Sequence, residues 1–370
     1  MKVVSVFLIL AMMSLSACKS QKGNQGTMAD PKASKLTAEL FSRLIENSKS
    51  GIMIGHQDDL AYGIGWKAPN GQSDIFRMCS DYPAVFGWDL GHIETGAAVN
   101  LDSVPFNDIA KYAAEMYARG GINTFSWHCN NPLTGGSAWD VKTPGVVKSI
   151  LPGGDKNAEF NQWLDRVAGF FARLKDGNGE PIPVLFRPFH EHTGSWFWWG
   201  KDLCTPEEFI QLWSYTVKYL TETKNLHNLI FVFSTAGDFN NVQEFAERYP
   251  GNGFVDIVGF DIYQNPQQSN ADFSDKLTKR LKILTDFATE KNKPATLAEI
   301  GYEQIPDSTW WTKTFYPAVQ KSGIMYALFW RNAANRPNHY FVPYPGQKSE
   351  PDFKKFYDLP GTLFLKDLRK

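Results

Sequence analysis

A chain of 370 residues with a formal net charge of −1 has length for one large domain and lacks the concentrated basic face that a phosphate backbone demands, which excludes nucleic acid as an expected partner. Its 12 Trp and 14 Tyr point instead to packing or to the stacking of flat apolar surfaces. Of the four cysteines, Cys79, Cys129 and Cys204 remain once Cys18 is set aside, an odd set without C-x-x-C spacing that excludes a disulfide framework and a zinc site. One disulfide among the three stays open.

The N-terminus reads as an export signal. Lys2 precedes an apolar run over residues 3–13 and then Leu15-Ser16-Ala17-Cys18, a charged start, a short hydrophobic region and small residues before a cysteine. This resembles a bacterial lipoprotein box, which makes residues 1–17 a signal peptide and Cys18 the lipid-anchored first mature residue. Residues 18–33 are rich in Lys, Gln, Gly and Asn and read as a flexible spacer, leaving 34–370 as the folded unit. No later segment is long and apolar enough to span a membrane. The expectation is an exported monomer tethered to the outer membrane, and the absence of an acidic run after Cys18 favours its periplasmic face.

Apolar runs bounded by turn signals then alternate with amphipathic helices. Strands are predicted at 52–55, 84–89, 123–127, 184–187, 229–234, 257–261, 296–299 and 326–330, near-continuous hydrophobic runs as expected of parallel strands buried on both faces. Between them, Leu36, Leu40, Phe41, Leu44 and Ile45 form one helical stripe, and Phe160 to Leu174 carry another. Thr205-Pro206-Glu207-Glu208 is a capping box with proline at the first helical position. Eight such units without a Gly-x-Gly-x-x-Gly fingerprint predict a single α/β (β/α)8 TIM barrel. Polar residues cluster at the strand exits: His56-Gln57-Asp58, Asp89, His128, His190-Glu191, Asp261-Ile262-Tyr263, Glu299 and Trp330-Arg331-Asn332. A barrel of this kind puts its active site on that rim.

Two glutamates there carry the chemistry. Glu191 lies in Arg187-Pro188-Phe189-His190-Glu191 just before Trp196-Phe197-Trp198-Trp199, where indole rings desolvate a carboxyl and stack on sugars; Glu299 ends the seventh strand. Two carboxyls across a cleft are the machinery of a glycosidase. Arg187 and Tyr263 are the expected donors that keep Glu299 ionised. His128, Trp139, His190, Trp196 and Trp330 are candidate sugar contacts, and Arg331 a hydroxyl-binding group in a distal subsite. Asp89 and Asp261 could bind sugar or buttress Arg187, and sequence does not separate these. Trp163, Trp213, Trp310 and Trp311 are expected to pack on helices. His190-x-His192 imitates a metal pair but lacks the i, i+4 spacing of a helical site, so neither metal nor cofactor is expected.

Gly55-His56-Gln57, Ser126-Trp127-His128, Gly135 to Asp140, Arg187 to Glu191 with Trp196 to Gly200, Asp256 to Tyr263, the Glu299 region, and Trp330 to Ala333 with His339-Tyr340-Phe341 together resemble glycoside hydrolase family 26. The resemblance spans nearly the whole mature chain. It implies a retaining β-1,4-mannanase, acting internally or releasing short manno-oligosaccharides, with Glu191 as acid/base and Glu299 as nucleophile. His190 stands where most of the clan carries asparagine, a habit of this family. Mixed-linkage glucan or xylan as substrate, and a non-catalytic glycan-binding lipoprotein, are the competing readings.

Overall fold

In the computed structural model, which describes residues 28–67 and 72–368, the expected strands form in register with their predicted positions. They are β1 Ile52–Gln57, β2 Val85–Asp89, β3 Ile122–Trp127, β4 Val184–Pro188, β5 Leu229–Ala236, β6 Ile257–Tyr263, β7 Ala295–Gly301 and β8 Tyr326–Phe329. Each pairs in parallel with its successor, and β8 pairs with β1 from Met53 opposite Tyr326 to His56 opposite Phe329, closing a (β/α)8 barrel. Outside the barrel, Tyr62–Gly63 and Trp66–Lys67 form a short antiparallel hairpin after β1.

Strand alternation divides the apolar residues into two layers. Met53, Val85, Leu185, Ile230, Ile257 and Leu328 fill the barrel and join Leu40, Phe41 and Leu44 of the helix Lys35–Ser48. That helix closes the N-terminal end: Ser34 caps it by accepting from Thr37 N, and Ser34 N donates to His227 O just ahead of β5. Ile54, Phe86, Phe125, Phe186 and Phe231 face outward into the helical layer. The capping box forms as expected, with Thr205 and Glu208 exchanging bonds ahead of the helix Pro206–Lys218.

The folded unit begins earlier than residue 34. Asp30 is buried and its carboxylate faces His227 Nδ1 at 2.7 Å, while Ala29 N donates to Asp256 Oδ1 at 2.6 Å. Residues 28–33 therefore belong to the domain, because Asp256 and His227 at the barrel's N-terminal end need the partners these residues supply. The expected signal peptide, Cys18 and the rest of the spacer lie outside the described residues. No helix among the described residues is long and apolar enough to cross a membrane. Cys79, Cys129 and Cys204 are all free thiols.

One irregularity positions chemistry. Phe260 pairs with Leu297 but Asp261 pairs with Glu299, and on the other side Ala327 pairs with Leu297 but Phe329 with Ile300. Both neighbours thus slip by one residue at Ala298–Glu299, a bulge in β7 that re-aims the side chain of Glu299 at the barrel mouth.

Trp310 and Trp311 pack as expected, fully buried, with Trp311 4.7 Å from the rings of both Phe329 and Phe353. Trp311→Ala should cost about 3–5 kcal/mol in denaturant unfolding by leaving a cavity. Trp139→Ala, at a residue 49% exposed, should cost about 1 kcal/mol or less.

Candidate active site

The exit of β4 is a bent segment. Phe189 and Glu191, neither a glycine, take positive φ of 49° and 54°, a conformation costing of order 1–3 kcal/mol per residue. Hydrogen bonds hold it: Glu191 N donates to Ser234 O at 3.0 Å, Gly194 N to Glu191 O at 2.9 Å, and Trp199 Nε1 to His190 O at 2.8 Å. The chain then folds back so that Trp196 Nε1 donates to Glu191 Oε2 at 2.6 Å. Glycine at 194 leaves room for that indole, since a Cβ there would lie 2.2 Å from the Trp196 ring and displace it. Burial, and after it the negative charges of Asp261 and Glu299, push the Glu191 carboxyl well above the usual range, against the opposing Trp196 donor and Arg187.

Glu299 is gripped from two sides. Arg187, buried at the top of β4, donates through Nη2 to Glu299 Oε1 and through Nη1 to Asp261 Oδ2 at 2.7 Å. Tyr263 OH donates to Glu299 Oε2 at 2.6 Å. Burial and then the Glu299 charge raise the Tyr263 phenol well above its ordinary value, so it stays a donor. Burial would lower the Arg187 guanidinium, but Asp261 and Glu299 outweigh it and hold it charged. Asp261 also accepts from Ser234 Oγ at 2.7 Å; burial lifts its carboxyl to about 7, with Arg187 opposing. The alternatives left open by sequence separate here: Asp261 buttresses Arg187, whereas Asp89 binds His128 Nδ1 at 2.6 Å.

The remaining expected contacts form two walls. His128 stacks on Trp139 with ring centres 5.2 Å apart and meets Trp330 edge-on at 6.1 Å. Trp139 and Trp196 are 49% and 43% exposed, an unusual state for indole that suits them to stack on a ligand. Arg331 stands apart from the carboxyl pair, bound to Asp102 at 2.9 Å and donating to Tyr62 OH at 3.3 Å. With Tyr62, Trp66, Lys67, Asp102 and Asn335 it lines a cavity of about 400 Å³. Sequence reasoning missed Tyr62, Trp66 and Lys67 of the hairpin after β1 and Asp102 of a loop, none of which carries a barrel strand-exit signal. Two rim residues turn away from the cleft: His56 pairs with Asp59 at 2.6 Å in the interior, and Asn332 ties down the backbone of Phe341 and Val342.

His192 is buried between Phe209 and Phe233, at 4.2 and 4.7 Å, so His190 and His192 do not form a pair. His190, Asp261 and Glu299 do bring ligand atoms within 4.8 Å of one another, but both carboxylates already hold the Arg187 cation, which a metal would have to displace. The arrangement suits organic acid–base chemistry: one carboxyl kept protonated by burial and neighbouring charge, another held by two donors, beside exposed indoles.

Solved structures similar to this chain share that arrangement's scaffold. A GH26 β-mannanase from Bacteroides ovatus superposes with a TM-score of 0.88 and 44% identity, covering 91% of this chain and 98% of that one. A modular endo-β-1,4-mannanase from Cellulomonas fimi gives 0.84 and 32% identity, covering 93% of this chain and 78% of that one. A mannan endo-1,4-β-mannosidase of Bifidobacterium adolescentis is 31% identical over 93% of this chain, which spans only 36% of that protein's length. The family model for glycosyl hydrolase family 26 matches residues 29–317, from the first tethered residues through β7 and its bulged glutamate, and the chain belongs to that family.

Proposed function

We propose that the protein is a retaining glycoside hydrolase that cleaves β-1,4-mannosidic bonds, with Glu191 as proton donor and Glu299 as nucleophile. The observation that carries this reading is the unequal treatment of the two carboxyls: Glu299 receives Arg187 and Tyr263, whereas Glu191 receives one indole and faces two negative charges. Glu191 delivers its proton to the leaving glycosidic oxygen while Glu299 attacks the anomeric carbon. Esterification of Glu299 removes one of the charges that raise Glu191, so its acidity increases in the intermediate. It then acts as base on the incoming water.

The relatives' substrates support mannan as the polymer. Trp139 and Trp196 serve as sugar platforms, His128, His190 and Trp330 contact the ring at the cleavage site, and Arg331 binds hydroxyls at the glycone end. The protein works as a monomer, exported and anchored through Cys18 at the outer membrane. Radiolabelled palmitate should label the native protein in its bacterial host and leave Cys18→Ala unlabelled.

Reducing-sugar release from mannan, lichenan and xylan should be largest for mannan; absence of release from any mannan rejects the substrate assignment. Glu299→Ala should lose roughly 10⁵- to 10⁶-fold in kcat and still bind manno-oligosaccharides by calorimetry. Glu191→Ala should lose about 10²- to 10⁴-fold on mannan but far less on an aryl mannobioside whose leaving group needs no proton.

A pH profile checks the acid. The basic limb of kcat/KM reports loss of the Glu191 proton, so the raised carboxyl extends activity upward. Trp196→Phe keeps an aromatic face but removes the donor that stabilises the ionised form, and should move that limb to higher pH by about one unit. A limb that stays in place or moves down rejects Glu191 as the titrating acid.

A further inference from the structure

Asp89, at the end of β2, touches neither reacting carboxyl, yet it begins a hydrogen-bonded line that ends at His190, beside Glu299. Its Oδ1 accepts from Gly91 N at 2.6 Å, its Oδ2 accepts from Ser126 Oγ at 2.6 Å, and Oδ2 faces His128 Nδ1 at 2.6 Å. On the far side of that ring, His128 Nε2 lies 3.1 Å from His190 Nε2. The other nitrogen of His190, Nδ1, is enclosed without a partner, and His190 brings a ring nitrogen within 4.8 Å of carboxylate oxygens of Asp261 and Glu299.

Proton counting fixes the states of this line. A carboxylate only accepts, so His128 Nδ1 carries a proton. Two facing Nε2 atoms hold one proton between them, since two lone pairs or two N–H groups would repel. With His128 neutral, His190 donates from Nε2 and its Nδ1 is bare. With His128 protonated, His128 donates from Nε2, and the neutral His190 must carry its proton on Nδ1.

We propose that Asp89 is a positioning residue: by holding a proton on His128 Nδ1 it decides which nitrogen of His190 carries the proton, and proton uptake at His128 reverses that choice. Burial disfavours a charged His128, but the Asp89 carboxylate outweighs it and raises the imidazole above its ordinary value. Burial, then Arg187, His128 and His192, keep His190 neutral. The charged groups facing His128 are Asp89, Asp102, Arg187 and Glu299. The neutral His128 state is the active one, because the other state puts an N–H without an acceptor on the buried His190 Nδ1 and adds an imidazolium charge, both beside a transition state that is itself oxocarbenium-like. This inference rests on the cleft being the hydrolytic site proposed above.

Long-range ¹H–¹⁵N spectra of the intact protein labelled with ¹⁵N-histidine read the tautomers directly and independently of turnover. His190 should be the Nε2–H tautomer at high pH and convert to Nδ1–H as His128 titrates; a His190 that keeps one tautomer through that titration overturns the proposal. In Asp89→Asn the Gly91 N–H holds the amide oxygen at the Oδ1 position and turns the NH₂ toward His128 Nδ1. The variant should show His190 as Nδ1–H at every pH and lose roughly 10²-fold in kcat on mannan, less than the ~10⁴ of a reversed tautomer on a proton-transferring histidine. Its acidic limb should move to lower pH, and a profile that superimposes on the parent's also overturns the proposal. Loss of the tautomer switch with mannan hydrolysis intact would reject this role for Asp89 alone, whereas an inactive Glu299-intact parent would reject the hydrolase reading.

Discussion

The barrel mouth depends on one buried guanidinium. Arg187 lies against Asp261 and Glu299, and all three side chains are almost fully enclosed. Removing a cation from water costs several kcal/mol unless it is paired, and removing two neighbouring carboxylates costs more. The three groups are tolerable only together. Without Arg187 the two carboxyls would face each other with no cation between them, and Glu299 would lose one of the two donors that hold it. The β7 bulge serves the same cluster, since the register shift brings Glu299 opposite Asp261.

A second constraint is the bent exit of β4. Two residues in the left-handed region persist because surrounding hydrogen bonds over-determine them, including one from Trp199 to the carbonyl of His190. The loop that provides Trp199 is itself clamped from below by Arg248, whose Nη2 donates to the carbonyls of Lys201 at 2.8 Å and Cys204 at 2.5 Å. Here a buried cation is held chiefly by backbone oxygens. The consequence is a rigid aromatic wall that holds Trp196 over Glu191.

The strands were legible because parallel strands buried on both faces write themselves as uninterrupted apolar runs, and the two glutamates because both follow such runs directly. Arg187 and Tyr263 were legible as donors for the same reason: each lies at a strand exit that faces Glu299 across the mouth. Tyr62, Trp66, Lys67 and Asp102 were not, because residues of a short hairpin or loop outside the barrel meet their partners only through tertiary folding, and nothing local in the sequence pairs Asp102 with Arg331. The bulge was equally hidden, since inserting one residue leaves the apolar composition of β7 unchanged. The domain's first residues read as spacer by composition, yet Ala29 and Asp30 are held by single polar contacts to Asp256 and His227 that no hydrophobic pattern announces.

Charge is distributed over the cleft in a way that suits an uncharged polymer. Burial, then the nearby Asp102, raises the Asp58 carboxyl, which accepts from Tyr62, while Arg331 pairs with Asp102. That wall therefore carries hydrogen-bonding groups, with the Arg331 charge paired and Lys67 at its edge, as recognition of hydroxyls requires. At the reacting centre the balance differs, because one guanidinium is shared by two carboxyls. In the proposed hydrolysis that deficit of positive charge lies where the anomeric carbon becomes cationic, so electrostatic stabilisation is greater in the transition state than in the bound sugar, which is the condition for a rate gain rather than mere affinity.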